Sequence, residues 1–312
     1  MNIVIVGAGA VGGYFGGKMV RAGVPVTFFV REKRYRQIEE NGLRVKSVHG
    51  DFTVRPKLIT KAEDAERPDF IVAAVKAYQL EGAFPALDVW VSQGAKVVSL
   101  LNGIEPVDRL LERYGGSAVL GGLNYIESTL DREGQIVQTS PMQEIVFGAL
   151  SAENKPAASQ LMQTLEPCDF KVTLSDDIKR DMWEKYLFLT VLSGMTSAAR
   201  KPLGDILADR EAALFMEDML AELTRLARAE GITFQEDINT KIRGRFAAVP
   251  KTMTSSMYRD LAGGLPLELE NLQGYAVRLG EKHRINVPCL RAVYALLHPY
   301  ANGEASGPSS LA

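Results

Sequence analysis

Cysteine and histidine are scarce in this sequence, and long apolar runs are missing. Its two cysteines, Cys168 and Cys289, lie far apart and outside any C-x-x-C pattern. That excludes a disulfide-stapled scaffold and reads as two free thiols of a reducing compartment. The three histidines, His49, His283 and His298, form no H-E-x-x-H or other metal-ligand spacing, so no metal site is expected. No stretch approaches the roughly 18 apolar residues of a membrane helix. A charge excess is lacking too. Lys and Arg number 36 against 38 Asp and Glu, for a formal net charge of −2, whereas nucleic-acid-binding domains usually carry a strong positive excess. Neither a G-x-S-x-G serine nor a Walker lysine occurs. The N-terminus, Met1 to Val6, runs straight into apolar residues without a basic start, so no signal peptide is expected. These absences leave a cytoplasmic protein with neither nucleic acid nor membrane as partner.

The chain has 312 residues, 46% of them hydrophobic and 24% charged, which suits a soluble globular protein of about two domains. In the first half, short apolar runs alternate with helical patterns. Ile3–Val6, Pro25–Val30, Phe70–Val75, Lys96–Leu101 and Val119–Gly122 read as strands covered on both faces, hence a parallel sheet of βαβ units. Leu43–Val48 and Phe52–Val54 flank His49-Gly50-Asp51 as a small hairpin. The runs at 134–137 and 144–148 read as a further antiparallel pair at the sheet edge. Beyond Ser175 the strand signals stop. Helices are expected at about 178–200, 209–230, 235–248, 266–283 and 288–297, with Gly or Pro at their junctions. The tail from Asn302 is small and polar and reads as frayed. The expected fold is α/β: an N-terminal Rossmann-type parallel-sheet domain over 1–172, then an all-helical domain over 173–312. Apolar faces of the helical half suit a homodimer or simple core burial equally well.

Gly7-Ala8-Gly9-Ala10-Val11-Gly12 is a G-x-G-x-x-G run. It comes directly after a strand and opens a helix, the context of a dinucleotide site. Gly7 permits the tight turn, Gly9 lets the backbone approach a pyrophosphate, and Gly12 lets helix and strand pack closely. The helix N-terminus then offers free N–H groups to phosphate. At the end of the second strand, where an acid would bind the ribose of NAD, the chain has Arg31-Glu32-Lys33-Arg34. A cation there suits the 2′-phosphate of NADP(H). Glu32 would instead serve a ribose if Arg31 turned outward, and a solvated charge run is the plain alternative. Lys76 and Asn102 come after two further strands, at the strand ends where this fold holds its ligands, near the reacting half of the cofactor or the substrate.

In the helical half, Lys185 sits in the stretch Met182-Trp183-Glu184-Lys185-Tyr186-Leu187-Phe188. Steps of four put Lys185, Leu189 and Ser193 on one face, with Thr196 close by. Such a lysine must snorkel, pair with an acid, or act in a site. Ser255-Ser256 can cap a helix, and Glu268 reads as a first-turn residue after Pro266.

The ordered set of Gly7–Gly12, Arg31, Val75-Lys76-Ala77, Asn102-Gly103, Trp183-Glu184-Lys185, Ser255-Ser256-Met257 with Asp260, and Glu268 with Asn271 and Gly274 resembles the ketopantoate reductase (2-dehydropantoate 2-reductase) family over nearly the whole chain. The resemblance implies NADPH-dependent reduction of a 2-oxo acid, by default ketopantoate to pantoate for pantothenate and coenzyme A synthesis. It implies Lys185 as the proton donor, with Glu268 holding the lysine and the hydroxyl side of the substrate. Ser256 would hold the substrate carboxylate, and Lys76 and Asn102 would contact cofactor and substrate. The chain departs from the family at the positions four and eight residues after the lysine, where the family has asparagines. It has Leu189 and Ser193 there, and Leu203 at a third amide position after Pro202. Ser193, a smaller donor and acceptor, partly substitutes. Two alternatives stay open: a reductase of a different 2-oxo acid, or a catalytically silent NADP(H)-binding or sensing protein.

Overall fold

The computed structural model describes residues 1–303; the expectation for the tail falls, beyond that point, outside the described residues. Ten strands form one sheet: β1 (Ile3–Val6), β2 (Val26–Phe29), β3 (Leu43–Ser47), β4 (Phe52–Val54), β5 (Lys57–Ile59), β6 (Phe70–Ala73), β7 (Lys96–Ser99), β8 (Val119–Leu130), β9 (Ile136–Ala149) and β10 (Lys171–Leu174). Their order is β4-β3-β9-β8-β7-β6-β1-β2-β5, with β10 on β9. Among the described residues only β3–β4 and β8–β9 pair antiparallel, so the sheet is mostly parallel, of Rossmann type. The helices are α1 (Ala10–Arg21), α2 (Glu32–Asn41), α3 (Leu80–Ser92), α4 (Glu105–Tyr114), α5 (Lys155–Leu165), α6 (Ile178–Ala199), α7 (Leu203–Ala208), α8 (Arg210–Ala229), α9 (Ile238–Ala248), α10 (Ser256–Ala262), α11 (Tyr275–His283) and α12 (Pro288–Leu297). Contacts divide the chain into one unit of residues 1–102 and 106–179 and a second of 103–105 and 180 onward.

The first unit is built around its central strands. Every residue of β1 and β6 is buried, because helices cover both faces. Helix α1 lies unusually close to the sheet. A Cβ on Gly16 would come within 2.3 Å of Ile5 Cδ1, and one on Gly12 within 2.2 Å of the Gly7 carbonyl oxygen. Where the strands carry polar residues, the structure departs from the sequence expectation. The runs at 134–137 and 144–148 are not partners but parts of one strand, β9. Its antiparallel partner is β8, which extends eight residues past Gly122. Polar residues such as Asn124, Ser128, Gln138 and Ser140 interrupt the apolar pattern, although Asn124 and Gln138 are themselves buried and hydrogen-bonded. The edge strands β5 and β10 are short and partly charged, and carry almost no sequence signal.

The second unit is helical, as expected, with α7 and α10 in addition. Its one departure matters for the site. No helix starts at Pro266; the helical course begins with a π turn at Glu270–Gly274 and continues as α11. Leu267 N donates to the Ala301 carbonyl at 2.9 Å, and Leu267 and Leu269 are buried, so apolar burial holds this segment out of a helix. Glu268 is therefore not a first-turn residue favoured by a helix dipole. Another acid caps a helix from inside the bundle. The buried Glu222 carboxylate of α8 accepts from Cys289 N and Leu290 N, both at 2.9 Å, at the start of α12. Among the described residues, no helix is long and apolar enough to cross a membrane.

Removing the Glu222 carboxylate orphans two amide donors, and hydrogen bonds to charged groups are worth about 1.5–3 kcal/mol each. Glu222→Ala should therefore lower unfolding free energy in urea by about 3 kcal/mol, and Glu222→Gln by less. A variant as stable as the parent would refute the cap.

Candidate active site

The glycine turn joins β1 to α1. Gly7 has φ +100, a backbone conformation that L side chains rarely adopt, and a Cβ there would also meet Val75 Cγ1 at 2.9 Å. Gly9 is different: a Cβ would meet nothing within 4 Å. Gly9 is the N-cap of α1, no side chain caps the helix, and its first turn holds no acid. The first N–H groups of a helix lack intrahelical partners. Beside the open space at Gly9, they form a cradle that suits a pyrophosphate.

Arg31 is the exposed N-cap of α2, just past β2. Its neighbour Glu32 pairs with Arg36 at 3.4 Å, one turn along. Arg34, in sequence no more than part of a charge run, reaches back to the glycine turn. Its Nε donates to the Ala8 carbonyl at 2.9 Å, and Nη1 donates to the Gly134 carbonyl at 2.7 Å and to Gln37 Oε1 at 2.6 Å. Burial pulls the Arg34 guanidinium below the ordinary arginine value, with Asp131 opposing. Arg34 thus braces the backbone of the candidate phosphate loop, and no spacing rule singles it out. Lys76 and Asn102 stand half-buried just beyond β6 and β7.

In the second unit, the stripe on α6 changes character along its length. Lys185, Phe188 and Leu189 are half-buried, whereas Ser193 and Thr196 are 1% and 0% exposed. The closed end is a hydrogen-bonded core. Ser193 Oγ donates to the Thr190 carbonyl at 3.3 Å and accepts from Gln273 Nε2 at 3.1 Å. Gln273 Nε2 also donates to the Thr190 carbonyl at 2.8 Å. These surroundings give Ser193 a structural task and do not favour it as a replacement for a substrate-facing amide. Leu203 is likewise buried.

The same bonds locate Glu268. The Tyr186 hydroxyl donates to the Leu272 carbonyl at 2.6 Å, and burial pushes its phenol well above the usual range, so it stays a donor. Tyr186 and Gln273 together pin the 268–274 segment to α6. The buried Glu268 carboxylate then lies within electrostatic range of Lys185. Burial pulls the Lys185 ammonium down to about 8, Glu268 opposes that fall, and Arg245 on α9 adds to it. An amine poised near neutrality can give up a proton and be recharged. Ser255 caps α10 by accepting from Tyr258 N at 2.9 Å and is tied to Thr196 Oγ1 at 3.1 Å. Ser256, next in the chain, is half-buried.

Comparison with known proteins shows the family and the fold. The family described as "Ketopantoate reductase PanE/ApbA" matches residues 3–152, and its C-terminal counterpart matches residues 177–301. The "Uncharacterized oxidoreductase YkpB" of Bacillus subtilis is 32% identical over 300 residues, covering 96% of this chain and 99% of that protein. A ketopantoate reductase of Ralstonia eutropha JMP134 superposes with a TM-score of 0.87 at 27% identity, over 96% of this chain and 98% of that one. A D-mandelate dehydrogenase solved with NADH and anilino(oxo)acetate shares the fold, with a TM-score of 0.87 at 21% identity over 96% and 98% of the two chains.

Two glycine replacements separate packing from binding. Gly12→Ala drives a methyl into the Gly7 carbonyl and should cost roughly 2 kcal/mol or more in chemical denaturation. Gly9→Ala should change stability by less than about 1 kcal/mol. It should nevertheless weaken dinucleotide binding at least about tenfold in a fluorescence titration, a loss of roughly 1.4 kcal/mol. Unchanged binding in Gly9→Ala would remove the cradle from the site.

Proposed function

This chain belongs to the ketopantoate reductase PanE/ApbA family, a family of nicotinamide-dependent oxidoreductases, and from that premise we propose that it reduces a 2-oxo acid to a 2-hydroxy acid with NADPH. The family makes 2-dehydropantoate the first substrate to test, in the cytoplasmic supply of pantothenate. The observation that carries the reading is Lys185: a half-buried amine, drawn down to about 8, with a buried carboxylate acting on it.

Bound NADPH supplies the hydride for the keto carbon. The chain's own part begins with the glycine turn, whose amides hold the pyrophosphate, and with Arg31, whose planar fork suits a 2′-phosphate. NADH in the D-mandelate dehydrogenase belongs to that protein; here the cation after β2 favours NADPH. Lys76 and Asn102 are assigned to the reacting end of the cofactor and to the substrate. Lys185 Nζ gives its proton to the carbonyl oxygen as negative charge develops there, and its own charge stabilises the alkoxide before transfer. Glu268 keeps the lysine charged and oriented. Ser256 offers its hydroxyl to the substrate carboxylate.

A specific observation favours a second reading, a 2-oxo acid other than ketopantoate. Leu189 is half-buried on the face of Lys185, and the family's other two amide positions are the buried Leu203 and the engaged Ser193. A substrate hydroxyl left unpaired against such a wall costs about 1–3 kcal/mol.

NADPH oxidation monitored with a panel of 2-oxo acids, ketopantoate included, tests both readings. Turnover of other acids without ketopantoate would select the second. No turnover at all, with tight NADPH binding, would leave a silent sensor. Lys185→Ala should lower kcat by about 10²–10⁴-fold; full kcat in that variant would sink the mechanism. Reduction needs the charged lysine, so kcat should be level below about pH 7. Above about 8, the value to which Lys185 is drawn, it should fall, and the reverse oxidation should rise over the same range. Replacing Arg31 with Ala should weaken NADPH far more than NADH, and equal losses would overturn the cofactor preference.

A further inference from the structure

The bond from Arg34 to the glycine turn fixes more than a carbonyl. A peptide unit is planar and trans, so the Ala8 carbonyl and the Gly9 N–H point in opposite directions. Arg34 Nε holds that carbonyl at 2.9 Å and thereby sets the direction of the Gly9 N–H. This peptide is otherwise easy to turn, because Gly9 has no Cβ to hinder it. Arg34 is held in its turn by the tip of the β8–β9 arm, 100 residues away in sequence: Nη1 donates to the Gly134 carbonyl at 2.7 Å. Gln37 accepts from the same Nη1 at 2.6 Å and donates to the Glu133 carbonyl at 2.5 Å. The tip is a closed turn. Asp131 Oδ1 accepts from Glu133 N at 3.0 Å and Gln135 N at 2.8 Å, and Gly134 has φ +75. A Cβ on Gly134 would come within 2.1 Å of Gln37 Nε2. Ile136, next after the tip, packs on the first turns of α1, where a Cβ on Gly13 would meet its Cδ1 at 2.5 Å.

We propose that Arg34 is a positioning residue for the dinucleotide, aiming the Gly9 N–H at the pyrophosphate, and that the tip of the β8–β9 arm sets Arg34 in place. The inference rests on the reading of the glycine turn as the pyrophosphate cradle. Arg31 and Arg34 then divide the work. Arg31 addresses the 2′-phosphate that only NADPH carries, whereas Arg34 acts on the part common to NADPH and NADH. The half-buried Arg34 guanidinium is engaged by three neutral oxygens, of Ala8, Gln37 and Gly134. Meeting oxygens on separate segments uses the planar fork of arginine, which the compact ammonium of lysine does not reproduce. Coupling between two places is reciprocal. A ligand that holds the Gly9 N–H therefore also steadies residues 131–135 without touching them.

The test measures Kd for NADPH and for NADH by fluorescence titration in the parent, Arg34→Gln, Arg34→Lys and Gly134→Ala, each verified as folded by circular dichroism. Arg34→Gln should weaken both nucleotides about tenfold, by the same factor. Gly134→Ala should weaken both about fivefold, and the double variant should bind no worse than Arg34→Gln alone. Arg34→Lys keeps the charge and should stay within about twofold of Arg34→Gln. Hydrogen exchange gives a readout that a merely structural role would not move. NADPH should slow exchange of the 131–135 amides about threefold or more in the parent but not in Arg34→Gln. Parental affinity in Arg34→Gln or Arg34→Lys overturns the positioning role. A loss much larger for NADPH than for NADH also overturns it, since Arg34 would then bind the 2′-phosphate itself. NADPH that still slows exchange at 131–135 in Arg34→Gln reaches the tip directly and overturns the relay. If Arg34→Gln does not fold, Gly134→Ala with parental affinity for both nucleotides overturns the proposal. Gly9→Ala tells the two readings apart. Weakened binding there with parental affinity in Arg34→Gln defeats the positioning alone, whereas unchanged binding in Gly9→Ala removes the cradle and the positioning with it.

Discussion

A charged amine half-buried among helices is the constraint around which the second unit is arranged. Desolvation weakens the hold of Lys185 on its proton, and Glu268 opposes that. The opposing carboxylate has to be nearby and held, because a mobile acid would find water instead. Glu268 is held through the π turn on its C-terminal side. Tyr186 and Gln273 fasten that turn to α6, so the helix that carries the lysine also fixes its counter-charge. The lysine ends at about 8, charged at neutrality yet able to lose its proton.

The first unit presents backbone rather than side chains at its glycine turn. Gly7 and Gly12 are explained within the protein itself: a Cβ at either collides with neighbouring atoms, and Gly7 also has φ +100. Gly9 meets no protein atom and needs another reason, and an approaching phosphate is one. The turn is then stiffened from outside by Arg34 on the Ala8 carbonyl. That brace acts on a carbonyl and so takes up none of the turn's N–H groups.

Features whose information is local are legible in the sequence. The glycine turn, the fully buried strands and the long helices each arise from a run of neighbouring residues. The long antiparallel arm is not legible as one strand, because Asn124 and Gln138 are polar yet buried, satisfied by partners far away or around the corner of the strand. Glu268 is found by resemblance but expected in a helix turn it does not occupy, because the burial of Leu267 and Leu269 outweighs the helix-start signal of Pro266. Arg34 is invisible because it sits in a charged run and acquires its role from distant segments, the Ala8 and Gly134 carbonyls.

The replaced asparagines bear on specificity through what has become of their positions. Ser193 lies in a closed network with Gln273, so its hydroxyl serves to seat Glu268's segment and is not an open donor. An amide at that position would have to break this network or leave part of itself unpaired in the core. Leu189, by contrast, remains half-exposed beside Lys185. Where the family has asparagines, this chain thus has a sealed network at Ser193 and a half-exposed apolar surface at Leu189. Under the proposed reduction of a 2-oxo acid, discrimination among acids would pass to shape and apolar contact at Leu189.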